Sequence, residues 1–317
     1  MRDVLLPNTL DDLWEILYSE PEALLYAGGT DLLVKIRSRS PSPPFSPAPQ
    51  RSDPLAFPLF RRPAPLVCLE RIRELKGVHE EGALVCIGAC TTHSEIIRDS
   101  LVSLHFPILI KALRLLGSPH IRNMGTIGGN ICTASPAGDT LAPLYILDAS
   151  VETRSCDGGR LMPLKNFILG PGSISLQRGE ILYGIWIPKK RDLNIHHFEK
   201  VGQRRALAIA IASMAALIKL SDDGIIDKIR LAWGSVAPTI VAPRTVEDAL
   251  TGKPLTEDVL RDAMPLVEDA LSPIDDVRAS AGYRRRVSAN LLLRLLQYKD
   301  AEFEGPGIQD KVRSTNL

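Results

Sequence analysis

Two glycine-centred segments carry the residue types best suited to chemistry: Ala27-Gly28-Gly29-Thr30-Asp31 and Gly125-Thr126-Ile127-Gly128-Gly129-Asn130. Each follows an apolar stretch. Paired glycines let a backbone approach a ligand closely and adopt φ > 0, which aims consecutive N–H groups into one concavity. With the hydroxyl of Thr30 or Thr126 alongside, such turns suit a pyrophosphate. A single Gly-Gly pair reads as an ordinary tight turn; two pairs, each with a threonine, shift the reading towards anion binding. The sequence has no Gly-x-Gly-x-x-Gly after a strand and no Gly-x-x-x-x-Gly-Lys-Ser/Thr, so neither a Rossmann turn nor a P-loop is supported. Gly170-Pro171-Gly172 reads as a loop whose proline lacks the amide that a phosphate would use.

Positioning these segments requires regular elements. Thr9 followed by Asp12, with Leu10, Leu13, Ile16 and Leu17 on one face, is the pattern of a capped amphipathic helix. Residues 23–27 read as a buried strand entering the first glycine turn, and Thr30 as the cap of a following helix. Strands are expected at 66–69, 83–87, 151–153 and 180–187. Thr92 and Glu95 form a capping box, and Pro107 stands at a first helical position. Beyond them come three antiparallel strands at 196–201, 206–220 and 225–233, with a turn at Asp222-Asp223-Gly224. Helices are expected at 245–250, 256–271 and 283–296. Strands followed by helices favour an α+β unit over βαβ winding.

Residues 38–65 break the pattern, with nine prolines, five serines and one acidic side chain in 28 residues. Prolines fix φ and remove donors, so this stretch is expected to be an exposed arm or insertion. The 317 residues hold 38 basic and 37 acidic side chains, a balance that disfavours nucleic acid as a partner. The apolar run 206–220 is shorter than the ~20 residues of a membrane span, and the amino terminus shows no signal-sequence pattern. The five cysteines include no Cys-x-x-Cys pair, which points to a reducing, cytoplasmic setting and to no cluster or zinc ribbon on this chain. Cys86, Cys90 and Cys132 read as packing residues, and His196-His197 as strand neighbours on opposite faces rather than one metal site. Arg204-Arg205 and Arg284 to Arg286 read equally as solvated faces or subunit contacts.

Tyr26 to Leu33 and the long segment Ile121 to Asp139 closely resemble the flavin subunits of molybdenum hydroxylases, a family that includes xanthine and aerobic carbon monoxide dehydrogenases. The likeness extends over 180–182, 198–200 and 283–287, nearly the whole chain outside 38–65. It implies an α+β protein: a two-lobed FAD-binding domain of the vanillyl-alcohol-oxidase-like (PCMH) type over 1–190, with lobes of 1–65 and 66–190. A small α+β carboxy-terminal domain over 195–299 and a loose tail over 300–317 would follow. By position in the motifs, Leu25, Tyr26, Ala27, Gly28, Gly29, Thr30, Asp31 and Leu32 would wrap the FAD diphosphate. Thr126, Gly129 and Asn130 would contact the diphosphate and ribityl region. Thr133 and Asp139 would reach the sugar or adenosine side, with Leu116 and Ile121 lining apolar walls. Ile181 and Leu182 would contact adenine, and Lys200 would lie near the flavin.

The resemblance further implies non-covalent FAD, with no catalytic acid or base and no metal on this chain. A molybdopterin-binding large subunit and a small subunit with two [2Fe–2S] clusters would be partners, and NAD⁺ or another acceptor would take the electrons. A purine dehydrogenase is favoured, beside carbon monoxide, aldehyde or N-heterocycle enzymes. A stand-alone flavin oxidase and a non-catalytic assembly protein are the alternatives. Two departures from the family pattern stand out: the extra residues 38–65, and the direct run from Asn130 to Asp139 where 4-hydroxybenzoyl-CoA reductases insert an iron–sulfur loop.

Overall fold

The computed structural model describes residues 3–37, 64–189, 192–204 and 207–299. The expected arm at 38–65, apart from its last two residues, and the tail beyond 299 lie outside the described residues, as does Arg205.

The first unit is a small parallel sheet in the order Val4–Leu5, Leu66–Cys68, Leu24–Tyr26. Helix Leu10–Ser19 covers it. Thr9 accepts from the Asp12 amide while the Asp12 carboxylate takes the Thr9 amide, so the expected capping box is present. Leu13, Val67, Ile72 and Leu75 are buried together beneath that helix. Strand Leu24–Tyr26 is half-buried rather than buried, because it pairs with one neighbour only and forms the sheet edge.

A five-stranded antiparallel sheet follows, in the order Val78–Glu81, Leu84–Gly88, Ile181–Pro188, Ser150–Ser155, Gly158–Pro163. Its central strand Ile181–Pro188 is apolar on both faces, as a covered strand must be. Between its edges the chain makes a series of short helices. Pro107–Leu115 begins with proline at the first position, and Thr92 and Glu95 close a second capping box. The segment expected to be a loop at 170–172 is the tight connection of a hairpin between Ile168–Gly170 and Ser173–Ile174.

The carboxy-terminal sheet, Ile195–Val201, Ala212–Leu220 and Ile226–Gly234, is antiparallel. Alternation divides its residues between two cores. Phe198, Ala215, Leu217 and Ala232 join the core formed by the helices and the five-stranded sheet. Met214, Ala216, Ile218, Leu231 and Trp233 face a second core, under the helices Glu257–Ala270 and Ala281–Asn290. One sheet therefore packs on both sides, and its near face is tied to the helices that precede it. Lys111 adds a polar tie, donating to the His196 carbonyl at 2.8 Å.

Two expectations need correction. The strand expected from 206 begins at Ala212, because Leu207 takes φ +56° and interrupts the extended run. Leu207 and Ile209 are left exposed. Arg284 is neither a solvated face nor a subunit contact. Its side chain is buried and donates to the carbonyls of Ile211 at 2.7 Å and Ser235 at 3.0 Å and to Asp276 at 2.7 Å, clamping three loops.

Candidate functional site

The two glycine segments pack directly against each other. A Cβ on Gly28 would stand 1.6 Å from the Met124 carbonyl oxygen, so no other residue fits this approach. Gly29 takes φ +66°, and the turn then enters helix Leu32–Arg37. Among the described residues, nothing accepts from the N–H groups of Gly28, Gly29, Thr30 or Asp31. Four consecutive uncommitted donors around a positive φ make a concavity for an anion. The positive φ at Gly29 agrees with the sequence reading of the first segment as a glycine turn.

The second segment does not. It forms helix Ile127–Thr133, capped by Thr126, and none of its glycines has a positive φ. Its first amides are already committed. Ile127 donates to the Thr91 carbonyl at 3.1 Å and Gly128 to that of Ala89 at 2.9 Å, while Asn130 donates to the Thr126 carbonyl at 3.0 Å. Gly129 donates to Thr126 Oγ1 at 3.1 Å. Gly128 is required by packing, since a Cβ there would lie 2.6 Å from the Ala89 carbonyl oxygen. Gly129 is exposed and would meet only Thr126 Oγ1, so its bare backbone faces open space. What this helix offers a ligand is the Gly129 surface and the Asn130 side chain rather than free amides.

The predicted residues beyond these segments fall into a connected line. Thr133 Oγ1 lies 3.1 Å from Asp31 Oδ2 and so clasps the first turn to the glycine helix. Thr140, buried and absent from the sequence expectations, donates to Asn130 Oδ1 at 2.6 Å, leaving the Asn130 amide nitrogen as a donor. Its chain neighbour Asp139 pairs with Lys200 Nζ at 2.6 Å, and Lys200 also donates to the Leu115 carbonyl at 3.3 Å, next to Leu116. Thr140 could have been found as the hydroxyl beside Asp139 in the long motif. The resemblance placed Asp139 on the sugar or adenosine side and Lys200 near the flavin. Their short contact brings the two side chains together.

Of the two residues expected to line apolar walls, Leu116 is buried and Ile121 is 39% exposed on helix Pro119–Met124. Ile181 and Leu182 are both buried, their side chains in separate cores. Any contact they make with a ligand uses their backbone. This strand reaches the glycine helix through Ala89, whose N–H donates to the Tyr183 carbonyl at 3.0 Å and whose carbonyl accepts from the Gly128 amide at 2.9 Å.

Burial sets the electrostatics. Desolvation pushes the Asp139 carboxyl up to about 6, opposed by the Lys200 charge and hydrogen bond. Its second oxygen, Oδ1, is buried and has no partner among the described residues. His93, packed beside Gly125, is brought down to about 4 by burial and then by Arg122, and so stays neutral. Burial drives the thiols of Cys86, Cys90 and Cys132 up to about 12, which makes them packing groups rather than nucleophiles. Among the described residues no cluster of three or more His, Cys, Asp or Glu could hold a metal, and no helix is long and apolar enough to cross a membrane.

Comparison with known proteins adds an independent line. Residues 59–190 match the family described as the FAD binding domain in molybdopterin dehydrogenase. Residues 197–298 match the carbon monoxide dehydrogenase flavoprotein C-terminal domain. The chain is 32% identical over 280 residues to the xanthine dehydrogenase FAD-binding subunit of Escherichia coli O157:H7, covering 87% of this chain and 88% of that one. It is 28% identical over 284 residues to the nicotinate dehydrogenase FAD-subunit of Eubacterium barkeri, covering 88% and 89%. Among solved structures, carbon monoxide dehydrogenase from Hydrogenophaga pseudoflava superposes with TM-score 0.80 at 28% identity, over 93% of this chain and 96% of that one.

Proposed function

The chain belongs to the family of FAD-binding subunits of molybdopterin dehydrogenases, which makes it an oxidoreductase subunit, and from that membership we propose that it relays electrons through a non-covalently held FAD. The observation that carries the reading is the turn at 28–31, whose four amides have no acceptor among the described residues and which packs beside the glycine helix. Backbone donors can hold two phosphates without mobile side chains. The bare surface of Gly129, the amide of Asn130 and the orphaned oxygen of Asp139 suit the polyhydroxyl portion that follows. Bound there, FAD supplies the conversion between single-electron steps and hydride transfer. The residues of this chain bind and orient it. In this reading the acid–base chemistry of substrate hydroxylation belongs to a partner subunit.

The relatives named as xanthine and carbon monoxide dehydrogenase subunits support the rest of the proposal. A partner subunit carrying molybdopterin oxidises the substrate, a second partner with [2Fe–2S] clusters passes single electrons, and NAD⁺ accepts them from the flavin. A purine is the favoured substrate of the whole enzyme, in a cytoplasmic setting where all five cysteines stay free.

The test is direct. Purified chain should show a flavin spectrum, and acid should release intact FAD into the supernatant. Adding molybdenum and iron–sulfur subunits with a purine should bleach the flavin absorbance, and NAD⁺ should restore it. Flavin that stays on the denatured chain, release of FMN, or substrate oxidation by the isolated metal-free chain would each overturn the reading in favour of a stand-alone oxidase.

A further inference from the structure

We infer that His93 is a positioning residue for the turn at 28–31: its buried ring seats the second glycine segment against the first, and does so only while it carries no charge. The inference rests on the flavin-subunit reading and adds to it the control of that site by proton uptake. His93 is 2% exposed and opens the helix His93–Arg98. Its amide donates to the Gly125 carbonyl at 3.0 Å, and Thr92 and Thr126 form a β-bridge beside it. A Cβ on Gly125 would stand 3.2 Å from His93 Cδ2 and 3.3 Å from Nε2, so the ring occupies the space a side chain would need. The same backbone receives the first turn. A Cβ on Gly28 would lie 1.6 Å from the Met124 oxygen and 3.0 Å from the Gly125 nitrogen. The backbone at 124 and 125 is therefore in contact with the imidazole and with the turn.

The surroundings of the ring cannot receive a positive charge. A neutral imidazole can leave one nitrogen bare, whereas imidazolium carries N–H on both. His93 Nδ1 is buried and has no partner among the described residues. Protonation would bury a cation and an unpaired donor together, at high cost. The helices packed on His93–Arg98 are Ser100–His105, Pro107–Leu115 and Pro119–Met124, and their titratable side chains are His105, Lys111, Arg114, His120 and Arg122, all bases. Burial first, and then the charge of Arg122, hold His93 down at about 4. Arg98 on its own helix is a further base. The two acids nearby in sequence are spent as caps: Glu95 accepts from the Thr92 amide and hydroxyl at 2.7 Å, and Asp99 from the Val102 amide at 3.0 Å. The loop at 88–91 and the glycine helix carry no charged side chain.

Once the joint opens to water, the ring regains its ordinary value of 6.5. The support it gives is fully present above that pH and is lost as pH falls from 6.5 towards 4. Over most of this window the joint should loosen about tenfold for each pH unit. An opened joint takes away the seat of Gly28, so FAD affinity falls over the same range.

The experiment measures FAD dissociation constants of the full chain at pH 8 and pH 5, from flavin fluorescence, for wild type, His93→Phe and His93→Ala. Phenylalanine fills the site without titrating, and His93→Gln replaces it where circular dichroism shows a misfolded chain. Wild type and His93→Phe should bind FAD alike at pH 8. Between pH 8 and pH 5 the wild type should weaken by about tenfold more than His93→Phe. His93→Ala, which removes the ring, should already bind about tenfold more weakly at pH 8. Asp139, raised to about 6, titrates in the same range but does so in every chain, so the difference between chains isolates His93. Equal pH dependence in wild type and the non-titrating variant would overturn the inference, as would wild-type affinity in His93→Ala at pH 8. In both cases FAD held by the wild type at pH 8 still supports the parent reading. A wild-type chain that holds no FAD at pH 8 would overturn both.

Discussion

The turn at 27–31 and the helix Ile127–Thr133 are built from nearly the same vocabulary, paired glycines beside a threonine, yet they do opposite things with their backbones. The turn leaves the amides of residues 28–31 uncommitted, while the helix spends its first amides on Thr91, Ala89 and its own cap. The difference comes from what each glycine touches. Gly28 is pressed against the Met124 carbonyl and Gly128 against that of Ala89, so both are packing glycines. Gly29 is a conformational glycine, and at Gly129 a Cβ would press only on the capping hydroxyl, Thr126 Oγ1, at 3.0 Å. A motif of one composition thus holds residues required for fold, for backbone conformation and for ligand access. Substitution can separate them.

The largest effect is expected at Gly28. With a carbonyl oxygen 1.6 Å from the Cβ position, Gly28→Ala must separate the turn from the glycine helix. A cost of about 3 kcal/mol or more is expected, as for severe overpacking. Chemical denaturation should show it, with flavin lost in parallel. An alanine variant of wild-type stability would show that the two segments do not pack as described.

Next comes a pair of changes at Gly129. Gly129→Ala adds a Cβ that meets only Thr126 Oγ1, in a helix where alanine is favoured by ~1 kcal/mol. The fold should keep its stability within about 1 kcal/mol of wild type. Gly129→Asp puts a bulky carboxylate on the bare surface proposed to face the polyhydroxyl portion of FAD and should weaken FAD binding at least tenfold, or ~1.4 kcal/mol. Equal flavin content in both variants, read from absorbance, would mean that this surface does not face the cofactor.

Much of this was legible in the sequence, and the reason differs from residue to residue. The capping boxes at Thr9 and Thr92 are local, so residue type and spacing settle them, and both are present. The first glycine turn was legible for the same reason. The second was misread as a turn because Gly-Gly is compatible with either a turn or the start of a helix. The choice was made by Thr91 and Ala89, carbonyls that lie nearly forty residues upstream. Likewise the Asp139–Lys200 contact joins residues 61 apart, and nothing in either motif reports on the other. Leu207 was read as strand from its apolar neighbours, yet the chain needs that segment to connect Val201 to Ala212. Local chemistry is written in spacing; partners chosen by tertiary packing are not.

The smallest expected effect sharpens the comparison most. Thr133 lies on the helix side and Asp31 on the turn side, with Thr133 Oγ1 3.1 Å from Asp31 Oδ2 and 2.9 Å from the Gly129 carbonyl. One hydroxyl proton serves only one acceptor at a time, and Asp31 already pairs with Lys35 at 2.6 Å in a half-exposed ion pair. Thr133→Val keeps the shape and removes the hydroxyl, so a loss of only about 0.5–1.5 kcal/mol is expected. Where that loss falls tells the two roles apart. If Thr133 is solely a clasp between the segments, thermal unfolding should drop by the same amount with and without saturating FAD. If the hydroxyl also bonds the sugar of the cofactor, as the family resemblance implies, the drop should be larger in the FAD-loaded chain. That excess should reappear as weaker FAD binding, because a ligand stabilises a fold only through its affinity for the folded state. An equal drop in both forms would assign Thr133 to the architecture and take it out of the binding site.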